Sequence, residues 1–268
     1  MAVCDCRVVV DLEPRAGNVN MAIDAALLQV ADEEPSEPIV RVYQWAEPTV
    51  SLGYFQKSDP SSTEPLLASC PRVQRLTGGG AILHHHEVTY SCVIPRNHRL
   101  HKQPSGLYGV IHGSILEVLA DCGATVGFRK DFPSFIGTEE TCSAVEREPF
   151  LCFLRSDPRD LAAIGGELDG CPKVVGSAQR RRRGTILQHG SILLRRSHLL
   201  PDVPGICDLF PQFDLLTFLN LLPTQLAFSV SGGWVSSVYT EQERYLAFDS
   251  LKPESHDMTD GTVKFKIL

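Results

Sequence analysis

"QRLTGGGAILHHHEVTYS", Gln74 to Ser91, sets three adjacent glycines before three adjacent histidines and a glutamate. Three readings are open for it: a phosphate loop, a metal site, or a backbone floor for a ligand. A Walker-type phosphate loop needs G-x-x-x-x-G-K-[ST] leading from a strand into a helix. No lysine follows Gly80, and the residues from Ala81 onward read as strand, so neither that loop nor a dinucleotide fingerprint fits. In a strand, His84 and His86 share a face while His85 points away. No third ligand stands at a convincing spacing, and no metal is assigned. The third reading uses what glycine lacks. Without Cβ atoms, Gly78, Gly79 and Gly80 let the backbone pass against a ligand and offer it N–H groups. An apolar chain can lie on that floor while its polar head meets Thr77 or Arg75. A tight turn between two strands satisfies the fragment equally, so the decision lies elsewhere in the chain.

The 268 residues allow one large domain, or one domain with an appendage. No stretch approaches the roughly 18 apolar residues of a membrane span. The opening MAVCDCRVVVDLEP lacks the basic start and long apolar run of a signal peptide, which makes a cytoplasmic location the expectation. Nine cysteines at irregular spacings, none in a C-x-x-C pair, suit a reduced protein with buried thiols. A net charge of −7 argues against general nucleic-acid binding, with Arg180 to Arg183 the local exception.

Helical spacing of Ala22, Ile23, Ala26, Leu27 and Val30 predicts a helix over Val19–Ala31, with Asn18 as its cap. Ile39–Trp45 alternates like a strand, and PTVSLGYFQ (Pro48–Gln56) follows among turn residues. Val73–Gln74 and Ala81–Val93 read as strands flanking the glycines, and Leu107–Leu119 as a helix closed by Gly123. From Asp160 the pattern becomes a meander: DLAAIGG, a turn at Asp169-Gly170, KVVGSAQ, a basic turn at RRRRG, then TILQHGSILL. Clustered strands with few helices between them predict an α+β fold with a mainly antiparallel sheet flanked by helices. The expected organisation is one catalytic domain. Its core spans about residues 8–200, and loops and short helices after Pro201 (LLTFLNLL, EQERYLAF) pack on it.

Four ordered stretches carry a resemblance: NMAIDAALL (Asn20–Leu28), VRVYQWAEPTVSLGYFQ (Val40–Gln56), the glycine–histidine stretch, and KVVGSAQRRRRGTILQHGSILL (Lys173–Leu194). Together they resemble the lipoate–protein ligase and octanoyltransferase superfamily, related to biotin protein ligases, over about residues 10–200. The resemblance implies a fold in which the glycine loop and a lysine grip a medium-chain acyl group. Lys173 matches the family lysine at the acyl carbonyl, and His84 the histidine after the glycines. Arg75, Thr77, Gly78, Gly79, Gly80, Gly176, Ser177 and Ala178 fall at the acyl-binding positions. The chain departs from the family in having Gln74-Arg75 where two arginines are common, and His84-His85 where His-Asp is common.

The superfamily divides chemically. A ligase must activate free lipoate through an adenylate, using ATP and Mg; a transferase starts from a thioester and needs only a relay nucleophile. Cys152, in PFLCFLRSDPRDLAAI, resembles the "CF" context of the catalytic cysteine in LipM-type octanoyltransferases. Without that resemblance it reads as an inert buried thiol. Cys142 and Cys171 are nearby competitors without a comparable context.

The expected reaction therefore has two stages and no cofactor. Cys152 takes the acyl group from octanoyl-acyl carrier protein, and a lysine of a lipoyl domain or of glycine-cleavage H protein then takes it as an amide. A free thiol of pKa near 8.5 is only about 3% ionised at pH 7, so a cation such as Lys173 should help. Deprotonating an ordinary lysine at pH 7 costs roughly 4.6 kcal/mol, and Lys173 or His84 are the candidates to take that proton. Backbone N–H groups at Gly176 and Ser177, or in the glycine loop, are candidate oxyanion donors. Arg180–Arg183 serve either as a solvated turn or to steer acidic carrier domains. The rival readings are an ATP-dependent lipoate–protein ligase, a transferase between lipoyl domains, and a non-catalytic lipoyl-domain binder; none involves nucleic acid or membrane.

Overall fold

The computed structural model describes residues 5–11, 13–33, 36–57, 65–132, 149–155, 157–164, 171–249 and 251. In chain order the described elements are β1 (Cys6–Val10), α1 (Gly17–Glu33), β2 (Ile39–Tyr43), β3 (Thr49–Leu52), β4 (Arg72–Gln74), β5 (Ile82–His84) and β6 (Glu87–Ile94). There follow α2 (Pro104–Asp121), β7 (Val126–Phe128), β8 (Leu161–Ala163), β9 (Lys173–Arg182) and β10 (Thr185–Leu193). The one-turn α3 (Ile206–Leu209), α4 (Leu215–Ser231), β11 (Trp234–Ser236) and α5 (Glu241–Asp249) complete the set.

An eight-stranded sheet runs β11-β1-β2-β6-β10-β9-β8-β7, and a three-stranded sheet runs β4-β3-β5. In the large sheet β1 is parallel to both neighbours and every other pair is antiparallel. All residues of β2 and β6 are buried, because helices cover both faces. On one face, Leu107, Ile111 and Ile115 of α2 and Phe218, Leu222 and Leu226 of α4 meet Val42, Tyr90, Ile186 and Ile192. On the other, Ala22, Ile23, Ala26 and Leu27 of α1 meet Ile39, Val93 and Leu187. Neighbours Ile186 and Leu187 thus go to opposite layers, as the two-residue strand period requires. The α+β architecture with a mainly antiparallel sheet is as the pattern predicts. Among the described residues no helix is long and apolar enough to cross a membrane.

Three local expectations need correction. Asn18 lies inside α1, where its Oδ1 accepts from the adjacent Val19 N–H at 2.9 Å. The strand expected over Ala81–Val93 breaks at His85–His86, so β5 joins the small sheet and β6 the large one. The His86 carbonyl accepts from both Leu194 and Arg195 N–H there, at 2.9 and 3.0 Å. Finally, Arg180–Arg182 belong to β9. The turn itself is Arg183-Gly184, both at positive φ (46° and 95°), a two-residue hairpin loop of the type that matches strand twist. The turn expected at Asp169-Gly170 lies outside the described residues.

A buried ion ties these layers together. The Arg41 guanidinium on β2 is fully enclosed, donating to Asp11 Oδ2 at 2.7 Å, Asp24 Oδ1 at 3.0 Å and Asn20 Oδ1 at 2.6 Å. Tyr239, beyond β11, also donates to Asp11, at 2.6 Å. Arg41→Leu leaves two buried carboxylates without their cation; the expected loss is about 3–5 kcal/mol of unfolding free energy, measured by urea titration.

Candidate functional site

Residues 149–155 return to the end of the glycine loop and pair with it. Ala81 N–H donates to the Phe150 carbonyl at 3.0 Å, and Cys152 N–H to the Ala81 carbonyl at 2.7 Å. Leu151 anchors the segment by burial among Val50, Leu67 and Leu83. Cys152 then opens a single 3-10 turn, Cys152–Leu154. A Cβ on Gly80 would stand 2.7 Å from Arg155 Nε and 3.0 Å from Cys152 N. The closeness that the third glycine allows is to the protein's own thiol-bearing segment.

Lys173, at the start of β9, reaches the same point. Its ammonium donates to Asp160 Oδ2 at 2.8 Å, to the Cys152 carbonyl at 3.2 Å and to Cys152 Sγ at 3.6 Å. All three protons therefore have an acceptor. Burial raises the Asp160 carboxyl above its ordinary value, outweighing the pull of Lys173. The lysine lies flat over Gly176, where a Cβ would stand 2.5 Å from Lys173 Cε. Beside the pair opens a cleft of ≈ 430 Å³, walled by Met21, Tyr43, Trp45 and Ile82 and floored by Gly78, Gly79, Gly176 and Gly190, with Cys152 on its lining. Thiol, ammonium and apolar cleft converge.

The family model described as lipoyl protein ligase A/B catalytic domain matches residues 16–198. The chain belongs to that family. Among curated relatives, it is similar to "Octanoyltransferase LipM" of Macrococcus caseolyticus, 34% identical over 194 residues that cover 71% of this chain and 65% of the relative. It is also similar to "Octanoyltransferase LipM" of Geobacillus kaustophilus, 37% identical over 187 residues, 65% of this chain and 60% of the relative. The chain thus spans less than two thirds of the length of these relatives. Its fold is that of a bi-partite lipoate protein ligase from Thermoplasma acidophilum, with a TM-score of 0.61 at 17% identity, covering 92% of this chain and 91% of that one.

Other residues picked out as the family's site prove to support the cleft. His84 lines it, yet both ring nitrogens are engaged: Nδ1 with Glu87 at 2.7 Å and Nε2 with Ser51 at 2.5 Å, with the ring stacked on Trp45. Burial opposes charge on Glu87, but His84, Ser191 and Thr89 together hold its carboxyl below the ordinary value. Arg75, expected at the acyl head, lines the cleft and turns its guanidinium under the glycine loop. It donates to the carbonyls of Ser51 (2.7 Å), Gly78 (3.0 Å) and Gly80 (2.8 Å). Burial pulls it down to about 10. Thr77 stands outside the cleft lining and pairs with His189 Nε2 at 2.6 Å. Ala178 and Ser177 line the cleft, but the Ser177 hydroxyl is committed to His112 Nε2 on α2, at 2.8 Å. Of the competitor thiols, Cys171 lines a neighbouring cavity, and Cys142 lies outside the described residues.

Asp160 and His112 had no signal of their own in the sequence. His112 bridges Ser177 and the Arg159 carbonyl, so it braces the turn that carries Asp160. Among the described residues no group of three His, Cys, Asp or Glu side chains is arranged to hold a metal ion. His85 and His86 stack on each other and leave His84 on its own.

Two measurements follow from this geometry. Gly176→Ala displaces the Lys173 ammonium at a stability cost of about 1 kcal/mol, while slowing alkylation of Cys152 by iodoacetamide roughly tenfold at pH 7. Burial lowers His112 to about 4. The unfolded chain protonates this histidine below about pH 6.5 while the folded one resists, so stability is lost as pH falls through that window. Thermal unfolding between pH 7 and 4.5 should show a loss on the order of 2 kcal/mol that His112→Gln removes.

Proposed function

We propose that this protein is an octanoyltransferase that moves an acyl group from octanoyl-acyl carrier protein, through a thioester on Cys152, to a lysine of a lipoyl domain or of glycine-cleavage H protein. The observation that carries the reading is the Lys173 ammonium 3.6 Å from Cys152 Sγ at the edge of an apolar cleft. The resemblance to relatives named "Octanoyltransferase LipM" supports it.

In the first stage Cys152 Sγ attacks the thioester carbonyl carbon. A C–S bond to the enzyme forms, the C–S bond to the donor breaks, and the donor thiol leaves with the proton that Cys152 gave up. As the C–Sγ bond forms, the Lys173 ammonium can exchange its contact with the sulfur for one with the tetrahedral oxyanion. In the second stage a neutral acceptor amine attacks the acyl-enzyme. A C–N bond forms, the C–Sγ bond breaks, and the nitrogen's surplus proton returns to Sγ. Asp160, whose proton affinity burial raises, lies one ammonium away from that sulfur and gives Lys173 a partner through which to pass the proton. His84, held between Glu87 and Ser51, is the second candidate for that proton.

The chemistry calls for no cofactor. Incubation with octanoyl-acyl carrier protein and no ATP should add one octanoyl group to the intact mass, located on Cys152 and absent from Cys152→Ala; addition of a lipoyl domain should discharge it as an amide. ATP- and Mg-dependent use of free octanoate without an adduct would instead identify a ligase, and transfer from an octanoylated lipoyl domain alone an amidotransferase. No modification of any acceptor leaves a binding module.

A further inference from the structure

Resting on the transferase reading, we infer that a second cavity, across Lys173 from the acyl cleft, is the port through which the non-acyl partner reaches Cys152: first the pantetheine-type arm of the donor thioester, then the acceptor lysine. This cavity of ≈ 640 Å³ is lined by Lys173 and Asp160, by Phe153 and Leu154 from the turn that carries the thiol, and by Arg129, Arg155 and Asp202. Lys173 belongs to its wall, while Cys152 belongs to the wall of the acyl cleft. The 3.6 Å contact between ammonium and sulfur is therefore the partition between the two spaces.

The chemistry of acyl transfer needs such a pair. A thioester carbonyl carries its alkyl tail on one side and its sulfur on the other, in one plane. With the tail in the apolar cleft, the departing sulfur points away from it, and an incoming nitrogen must approach a carbon whose tail side is filled. The second cavity offers what each visitor requires. Phe153 and Leu154 suit the methylene stretches of either arm, and the guanidinium groups suit the amide carbonyls of a pantetheine arm. Its charged lining is Lys173, Arg129 and Arg155 with Asp160 and Asp202, of which Asp160 pairs with Lys173.

One port serving two visitors in turn predicts competition between them. The test fills the cavity from its rim. Leu154 is 49% exposed and Asp202 is exposed, so Leu154→Trp and Asp202→Trp need not disturb the core. Octanoate binding, followed by calorimetry, should stay within about twofold of the unaltered protein, while acylation of Cys152 by octanoyl-pantetheine falls at least about tenfold. With the unaltered protein, excess lipoyl domain should competitively slow the initial release of pantetheine thiol from octanoyl-pantetheine, a readout that discharge of the acyl-enzyme does not lower. Acylation at the normal rate in both variants with octanoate still bound, or a first stage indifferent to the acceptor, overturns the port. No adduct at all on the unaltered protein overturns instead the transferase reading on which it rests.

Discussion

A guanidinium sealed inside a protein is tolerable only if every face of it is answered, and Arg41 governs the architecture for that reason. Its partners come from β1's exit (Asp11), α1 (Asn20, Asp24) and the chain beyond β11 (Tyr239). None of these elements can shift without stranding a charge in a low-dielectric interior. The NMAIDAALL motif gains a physical meaning here: Asn20 and Asp24 stand one helical turn apart, on the face of α1 that meets the cation.

From Asp24 the same network reaches the site. Asp24 accepts from Tyr43, Ser91 and His189, and His189 in turn pairs with Thr77 just before the glycines. Because burial holds His189 toward its neutral form and Asp24 stays ionised, Nδ1 carries the proton and Nε2 receives the Thr77 hydroxyl. A second chain, Trp45–Thr89–Glu87–His84–Ser51–Arg75, runs from β6 of the large sheet through the small sheet to the underside of the loop. The glycine loop is thus held by bonds from below, and its upper surface can stay apolar and open.

What was legible in the sequence was local. Alternation in β2, β9 and β10 and helical spacing in α1 and α2 are patterns within a few residues, and they place the elements correctly to within their ends. Lys173 and Cys152 were found through motif context, and the fold brings them into contact. The side chains that hold them were hidden. Asp160 meets Lys173 only because β8 pairs with β9, and His112 meets Ser177 only because α2 crosses that face of the sheet. Arg75 and His84 sit at family positions, but the sequence does not say whether a polar side chain faces the ligand or the loop beneath it. The break at His85–His86 was concealed by residues that favour a strand on both sides of it.

The parallel pairing of β1 with β11 bears on the order in which the molecule can complete itself. Ser237 N–H bonds to Val8, and Tyr239 closes the Arg41 cluster. As the chain leaves the ribosome, its first strand keeps a bare edge, and its interior cation one open flank, until residues 234–239 emerge. Between the emergence of Lys173 and that of residues 234–239 the nascent polypeptide holds every catalytic candidate yet lacks the seal on its own centre, and that interval is when it most needs shelter from wrong partners.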